Sequence, residues 1–433
     1  HYRDRRQRQM CIRDRDNRNI FFIIFLIVTV LFSWLAYQPD EVIIGGPFFP
    51  EMDYFQEELD EISRTENIKI KYFPVSDIET YLIEVSDNDI DLAIIPNPQG
   101  VVNLGQRNIA IPINKAIDQE NLNNKFSDHL IEITTSKKDN TNYGAWFRLI
   151  PNSLIWYDVE KFKSIGSPEF ESYEDMISFT KDFSSKGSPL WCLDIESGAS
   201  TGWIATNWLE DLILHQQGPD VYDQWANQEL LSGSDEITLS MLEIGKLIFI
   251  EDAVFGVNKR MVRKEFRNNY RNLLDEKNSC VFSWSGHFAT NYFPSDRDYS
   301  SDYDFFKFPS QNNKDGMVGI GDALIVVNQT RESKTVINAL IDDNFGKKWM
   351  SKNDSTYIPA NKNFKISSIN NELTIKEAKL IKNSLEKDLF RYDASELMER
   401  RIGADSLWYA MTKYIELTSK YIDEVTEELD FSY

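Results

Sequence analysis

The stretch DIDLAIIPNPQG, residues 89–100, holds four consecutive apolar residues, Leu92 to Ile95, closed off by Pro96 and Pro98. A short apolar run stopped by proline reads as a strand buried on both faces. Upstream, EVIIGG (residues 41–46) is a second such strand ending in glycine. Between them, MDYFQEELDEISR (52–64) sets Phe55, Leu59 and Ile62 at helical spacing. IKIKYF (68–73) alternates like a strand, and IETYLIEVS (78–86) is another helix. This β-α-β-α order predicts a mostly parallel sheet flanked by helices.

In such sheets ligands bind beyond the carboxyl ends of the strands. Those ends are Gly45-Gly46-Pro47-Phe48 and Pro96-Asn97-Pro98-Gln99, which makes Phe48, Asn97 and Gln99 candidate ligand residues. Two ordinary turns would use Gly and Pro equally well.

A second α/β stretch begins at NSLIWYD (152–158). It continues with a helix over 173–183, the strand-like PLWCLDI (189–195), and helices near 207–217 and 237–250. CVFSW (280–284), DYDFFKFP (302–309) and DALIVVN (322–328) follow as strands, then a largely helical tail over 375–429. No repeat of fixed period is visible. At 433 residues, two or three packed units are expected. The 42% hydrophobic share is that of a globular chain.

The formal net charge is −22, and residues 1–18, with seven Arg and three Asp, make the remainder more acidic still. Such a surface repels phosphate backbones, so nucleic acid is excluded as a partner. The three cysteines, Cys11, Cys192 and Cys280, form no CxxC motif, and the four His are widely spaced, so neither a metal site nor a cofactor is called for. Cys192 and Cys280 are open between a disulfide and two buried thiols.

IFFIIFLIVTVLFSWLAY (20–37) is uncharged and long enough to cross a bilayer. Arg13, Arg15 and Arg18 precede it, while Asp40 and Glu41 follow, which places the N-terminus in the cytoplasm. It reads as an uncleaved signal anchor, with cleavage further along as the alternative. The repetitive leader HYRDRRQRQMCIRDR has the look of an assembly scar and is left out of the fold argument.

Together the segments resemble the extracellular sugar-binding proteins of ABC importers, family 1 type, nearest the branch associated with α-glucosides. WCLDIESGASTGWIATNWLEDLIL (191–214) is the most specific part. DLAIIPNPQG, NSLIWYDVEKF, VGIGDALIVV and FRYDASELMERRIGADSLWYAMTKYI follow the family's order. The resemblance covers nearly everything from Glu41 onward. It implies an α/β, two-lobed, periplasmic-binding-protein-like fold (class II), with a hinge and an inter-lobe ligand cleft, preceded here by one transmembrane helix. The expected lobes are 40–147 plus 309–345, and 148–308 plus 346–433, after a basic segment (1–19) and the anchor (20–38). A cysteine near position 280 in the family implies that Cys192 pairs with Cys280. The run VFSWSGHF after Cys280 departs from the family's His/Gln-containing pattern, which puts an α-glucoside as the ligand in doubt. The implied partners are a sugar and the permease of an ABC importer, met by a monomer on the outer side of the cytoplasmic membrane.

A sugar needs hydrogen-bonding side chains for its hydroxyls and flat rings for its C–H faces. Glu196, Ser197, Thr201 and Trp203 supply both within eight residues. A helix N-cap loop is the bland reading of the same residues. Trp146 and Arg148 fall at the expected lobe crossover, as cleft groups or as hinge packing with an ion pair. Trp284 is a candidate stacking ring, and Asp322, after Gly319-x-Gly321, a hydroxyl acceptor. Trp156 and Tyr157 read as core.

Asp194 and Glu196 alternate like a glycosidase acid pair, but 69 acidic residues make that spacing common by chance. With no HExxH or P-loop, an enzyme is not expected. The rival readings are a clamp for a polyamine or other cationic solute, and an adhesion protein that has lost its ligand.

Overall fold

The computed structural model describes residues 40–85, 89–196, 202–256, 258–275, 279–310 and 316–417. In chain order, the elements that position the site are β1 (Glu41–Gly46), α1 (Met52–Glu66), β2 (Lys69–Pro74), α2 (Ile78–Glu84), β3 (Leu92–Ile95) and α3 (Pro98–Gln106). They continue with β4 (Ala145–Pro151), β5 (Leu154–Asp158), α4 (Trp203–Leu212), β6 (Phe282–Ser285), β7 (Tyr303–Lys307), β8 (Met317–Val326), α5 (Glu372–Glu386) and β9 (Phe390–Tyr392).

β1 lies between β2 and β3, parallel to both, with Ile44 opposite Tyr72 on one side and Leu92 on the other. The connecting helix α1 buries Phe55, Leu59 and Ile62, the residues whose spacing predicted it. β3 is buried along its whole length because β8 covers its other edge in antiparallel register. β8 also pairs with β4, antiparallel, and with β9, parallel, which completes a six-stranded sheet. The second sheet has three strands in the order β6-β5-β7, all antiparallel. The segment over 189–195 joins that sheet only through bridges at Trp191, to Val254 and Phe282.

Each sheet has its own apolar core. One gathers Val42, Ile44, Phe55, Phe147 and Trp349; the other gathers Trp156, Trp191, Trp208, Trp284 and Tyr414. The chain passes between them three times: at Asn152 between β4 and β5, between Phe308 and Met317, and at Tyr392–Asp393. One backbone bond and one to a side chain fasten the first two crossings together, Asn152 N–H to Val318 O and Val318 N–H to Ser153 Oγ, each 2.9 Å. Trp156 is core as expected, with its Nε1 donating to Gly286 O at 3.1 Å; Tyr157 is half-buried.

The expected return of 346–433 to the second lobe needs correction. Trp349 stacks on Phe49 and on Tyr357, ring centroids 5.8 and 4.1 Å apart, and Ala378, Ile381 and Leu385 of α5 bury in the same core. Leu373 of α5 reaches the second core, but the tail's other buried apolar residues join it only from Ala394 onward. The run 20–37 lies outside the described residues, as do 418–433 of the expected helical tail. Among the described residues no helix is long and apolar enough to cross a membrane.

Candidate functional site

Among the described residues three crevices open where the lobes meet; one of ≈ 400 Å³ sets Gln99 and Glu132 opposite Asn227 and Glu399, and the other two hold the remaining crevice-lining candidates. The larger, ≈ 590 Å³, takes Glu79, Asn97 and Gln99 from the first lobe and Glu396, Arg400 and Trp408 from the second. Its first-lobe wall is built at the carboxyl end of β3. Asn97 caps α3, its Oδ1 accepting Gly100 N–H at 2.6 Å, while its Nδ2 donates to Glu79 Oε1 at 2.6 Å. Burial raises the Glu79 carboxyl above its ordinary value, against the lowering bond from Asn97. Crowding first, then Asp393 and Glu79, push Glu396 up to about 7, although its side chain stays open to the crevice.

The smaller crevice, ≈ 450 Å³, places Glu51, Tyr54, Arg148 and Thr356 opposite His287 and Asn291. Glu51 is spent on structure: it accepts Thr356 N–H at 2.8 Å, Ser355 Oγ at 3.2 Å and the Trp349 indole. Arg148 is paired with Asp322 and lies over the Phe49 ring, 4.8 Å from its centroid. His287 Nδ1 meets Glu377 Oε1 of α5 at 2.8 Å. Burial alone would lower that imidazole; the Glu377 carboxylate outweighs it and raises it.

The two crevices are linked through the segment that opens α4. Gly202, at φ +100°, is its N-cap, and a Cβ there would stand 2.5 Å from Trp408 O, so glycine permits the close approach to the Trp408 helix. Trp203 packs edge-on against Phe288, 4.9 Å away and next to His287. A disulfide joins Cys192 to Cys280, with Cα atoms 5.5 Å apart. It ties the strand-like segment that leads to residue 196 to the start of β6, which leads to His287.

The candidate residues therefore separate. Asn97, Gln99 and Arg148 line the crevices, and Phe48 is 66% exposed just past β1. Glu196 is half-buried in a left-handed conformation at φ 55°, and Trp203 is half-buried. Ser197 and Thr201 lie outside the described residues. Trp146 faces neither crevice: it is buried, donates to Leu130 O at 2.6 Å and packs on Tyr392. Trp284 is also interior, stacked on Phe308 at 4.7 Å with its Nε1 on Asp211 Oδ2 at 2.6 Å. Asp322 is committed to Arg148. Asp194 is buried and lines neither crevice, which removes it from a glycosidase pair with Glu196. Among the described residues no cluster of His, Cys, Asp and Glu is fit to hold a metal.

Glu79, Glu396, Trp408, His287 and Asn291 were not among the candidates. Trp408 and Glu396 fall in the quoted FRYDASELMERRIGADSLWYAMTKYI segment, so the signal was present there. Glu79 looks like any surface helix position until α2 is set beside α3.

Two α/β lobes, three crossings and polar crevices between them define a hinged binding protein. Residues 49–358 match the family of bacterial extracellular solute-binding proteins, and the chain belongs to that family; it is a binding protein, not an enzyme. It is similar to the osmoprotective compounds-binding protein GgtB of Synechocystis, 24% identical over 86% of this chain and 88% of the relative. It is also similar to the alpha-glucosides-binding periplasmic protein AglE of Rhizobium meliloti, 24% identical over 80% and 77%. Among solved structures, the bacterial solute receptor AcbH, described as preferring β-D-galactopyranose, shares the fold at a TM-score of 0.74 with 15% identity, over 90% of this chain and 98% of that one.

Proposed function

We propose that the chain captures a carbohydrate, an α-glucoside or a related neutral polyhydroxyl solute, between its lobes and delivers it to an ABC permease as a monomer. The observation that carries this reading is the crevice lined from both lobes by Asn97, Gln99, Glu396 and Trp408 beside Gly202. Amides and carboxylates match sugar hydroxyls, and indole rings match C–H faces. The names of two relatives, one for osmoprotective compounds and one for alpha-glucosides, support a ligand of this class. Phe48, Arg148, Glu196, Ser197, Thr201 and Trp203 complete the proposed ligand set, and the run 20–37 is the proposed tether on the outer face of the membrane.

Capture follows the physics of a two-state clamp. An open form binds through one lobe, and closure adds contacts from the other; that difference in contacts sets the affinity. A polyamine or other cationic solute is the second reading, favoured by Glu79, Glu396, Glu399 and Asp405 around the larger crevice. A thermal-shift screen of the chain from Asp40 against maltose, trehalose, raffinose and spermidine decides between them. A sugar should raise Tm almost equally at 50 and 500 mM salt, whereas a shift given by spermidine and abolished by salt would sink the carbohydrate reading.

A further inference from the structure

The smaller crevice is walled by two nitrogen donors, one from each lobe, and each is anchored at its far side. Arg148, on β4 of the first sheet, gives its Nε to Asp322, and its two outer nitrogens have no partner among the described residues. His287 opens the short 3₁₀ helix His287–Tyr292 that follows β6 in the second lobe. Its Nδ1 meets Glu377 Oε1 at 2.8 Å, and its Nε2 has no partner among the described residues. The two side chains keep 17% and 12% exposure and line the same crevice, so the unspent nitrogens are the ends left to it.

The His287 ring is held from three directions. Gly286 lies so near the first crossing that a Cβ would stand 2.5 Å from Asn152 Oδ1, and its carbonyl accepts Trp156 Nε1 at 3.1 Å. Glu377 is fully buried, and its Oε2 has no partner among the described residues. A buried carboxylate with one partner is satisfied best by a cation, which keeps protons on both ring nitrogens. Nδ1–H then serves Glu377, and Nε2–H is free for the crevice. The Lys376 amine donates to Asp304 Oδ1 at 2.6 Å, which fastens α5 and Glu377 to the second sheet.

Resting on the carbohydrate reading, we propose that His287 and Arg148 form a donor pair that closes on acceptor oxygens of a neutral solute in the smaller crevice. Glu377 and Asp322 are the positioning residues that aim the two donors. They also balance the two charges, and Asp53 and Asp354 line the same crevice, so an added carboxylate gains little and meets repulsion. An ammonium group would set donor against donor. The pair therefore selects hydroxyl and ether oxygens over both kinds of ion, and it adds His287 to the ligand set.

The test is calorimetry of the full chain at pH 6.5 with maltose, trehalose, raffinose and maltobionate, which is maltose oxidised at its reducing end to a carboxylate. His287→Phe removes the second-lobe donor. Arg148→Lys keeps a cation for Asp322 but gives up the outer nitrogens. Each should weaken the sugar that wild type binds by about tenfold or more, the size of a lost bond to a charged donor. Glu377→Gln should weaken it as well, because the amide lets the ring lose a proton and turns Nε2 into an acceptor. Two-bond 1H–15N spectra without ligand should show the ring protonated at both nitrogens in wild type and bare at Nε2 in Glu377→Gln. Unchanged sugar Kd values in the folded variants, a bare Nε2 in wild type, or maltobionate bound tighter than maltose overturns the donor pair alone. If His287→Phe does not fold, Arg148→Lys and the wild-type ring spectrum decide. Absence of any sugar binding by wild type sinks the carbohydrate reading itself, and the pair with it.

Discussion

Arg148 and Asp322 stand opposite each other on β4 and β8 and form an ion pair at the point where the strand register shifts, between Asp322 and Ala323. Both side chains are largely buried, 17% and 8% exposed, and the guanidinium also covers the Phe49 ring beside the smaller crevice. The pair fixes the shape of the crevice wall and uses up the Asp322 carboxylate, while Arg148 still lines the crevice. Removing one partner leaves the other charged and buried. Arg148→Ala should therefore cost about 3 kcal/mol in urea unfolding, and Arg148→Ala with Asp322→Asn should cost less than the first change alone. Additive losses in that cycle would show that the two residues act independently.

The Cys192–Cys280 disulfide closes an 88-residue interval. Loop-entropy reasoning assigns such a closure about 4 kcal/mol, an upper figure because the unfolded chain keeps some structure. Reduction with dithiothreitol should lower Tm by several degrees. It should weaken ligand binding as well, since the bond ties together the backs of the two segments that lead to residue 196 and to His287. Unchanged affinity after reduction would separate the disulfide from the site.

Stability should fall as pH rises. Burial pushes Asp211 up to about 7, with the Ser153 and Trp284 hydrogen bonds pulling the other way, and Asp194 is raised to about 6, also by burial. An acid raised by folding holds its proton more tightly in the folded chain. Its contribution is complete below the unfolded value near 4 and is lost as pH climbs through the folded value. For Asp211 this amounts to a loss on the order of 4 kcal/mol between pH 4 and 7. Glu210, raised by burial and by Asp393, acts in the same direction. His129, lowered by burial, opposes it by destabilising the fold as pH drops below about 6.5. The urea midpoint should be higher at pH 5 than at pH 8, and Asp211→Asn should flatten that slope. A midpoint that increases toward pH 8 would contradict this accounting.

The first lobe was legible because its signals are local. The spacing of Phe55, Leu59 and Ile62 and the proline stops after Ile95 predict α1 and β3, and both form. The second lobe's sheet was harder to read, since Leu154, Phe282 and Tyr303 begin strands that pair across more than a hundred residues. The lobe boundary after 345 was misplaced because nothing local says that Trp349 will stack on Phe49, three hundred residues away. Tryptophans misled for a related reason. Composition cannot tell Trp284, whose indole is needed by buried Asp211, from Trp203 or Trp408, whose neighbours leave them partly open.

That contrast gives the last prediction. Trp284→Phe keeps a ring in the stack with Phe308 but takes the donor away from Asp211 Oδ2, in an interior where the lost bond should cost about 2 kcal/mol. Its folded fraction should still bind trehalose or maltose as wild type does, because the ring faces neither crevice. Trp203→Ala removes a half-buried ring that lines neither crevice itself but packs on Phe288, next to His287 of the smaller one, and follows Gly202, which abuts Trp408 of the larger. It should cost less stability and weaken binding about tenfold or more, the size of a lost stacking contact. Urea midpoints and calorimetric Kd values measured on the two variants should cross over. If Trp284→Phe abolishes binding in a protein that remains folded, while Trp203→Ala leaves it intact, then the ligand sits deeper in the second lobe than these crevices reach.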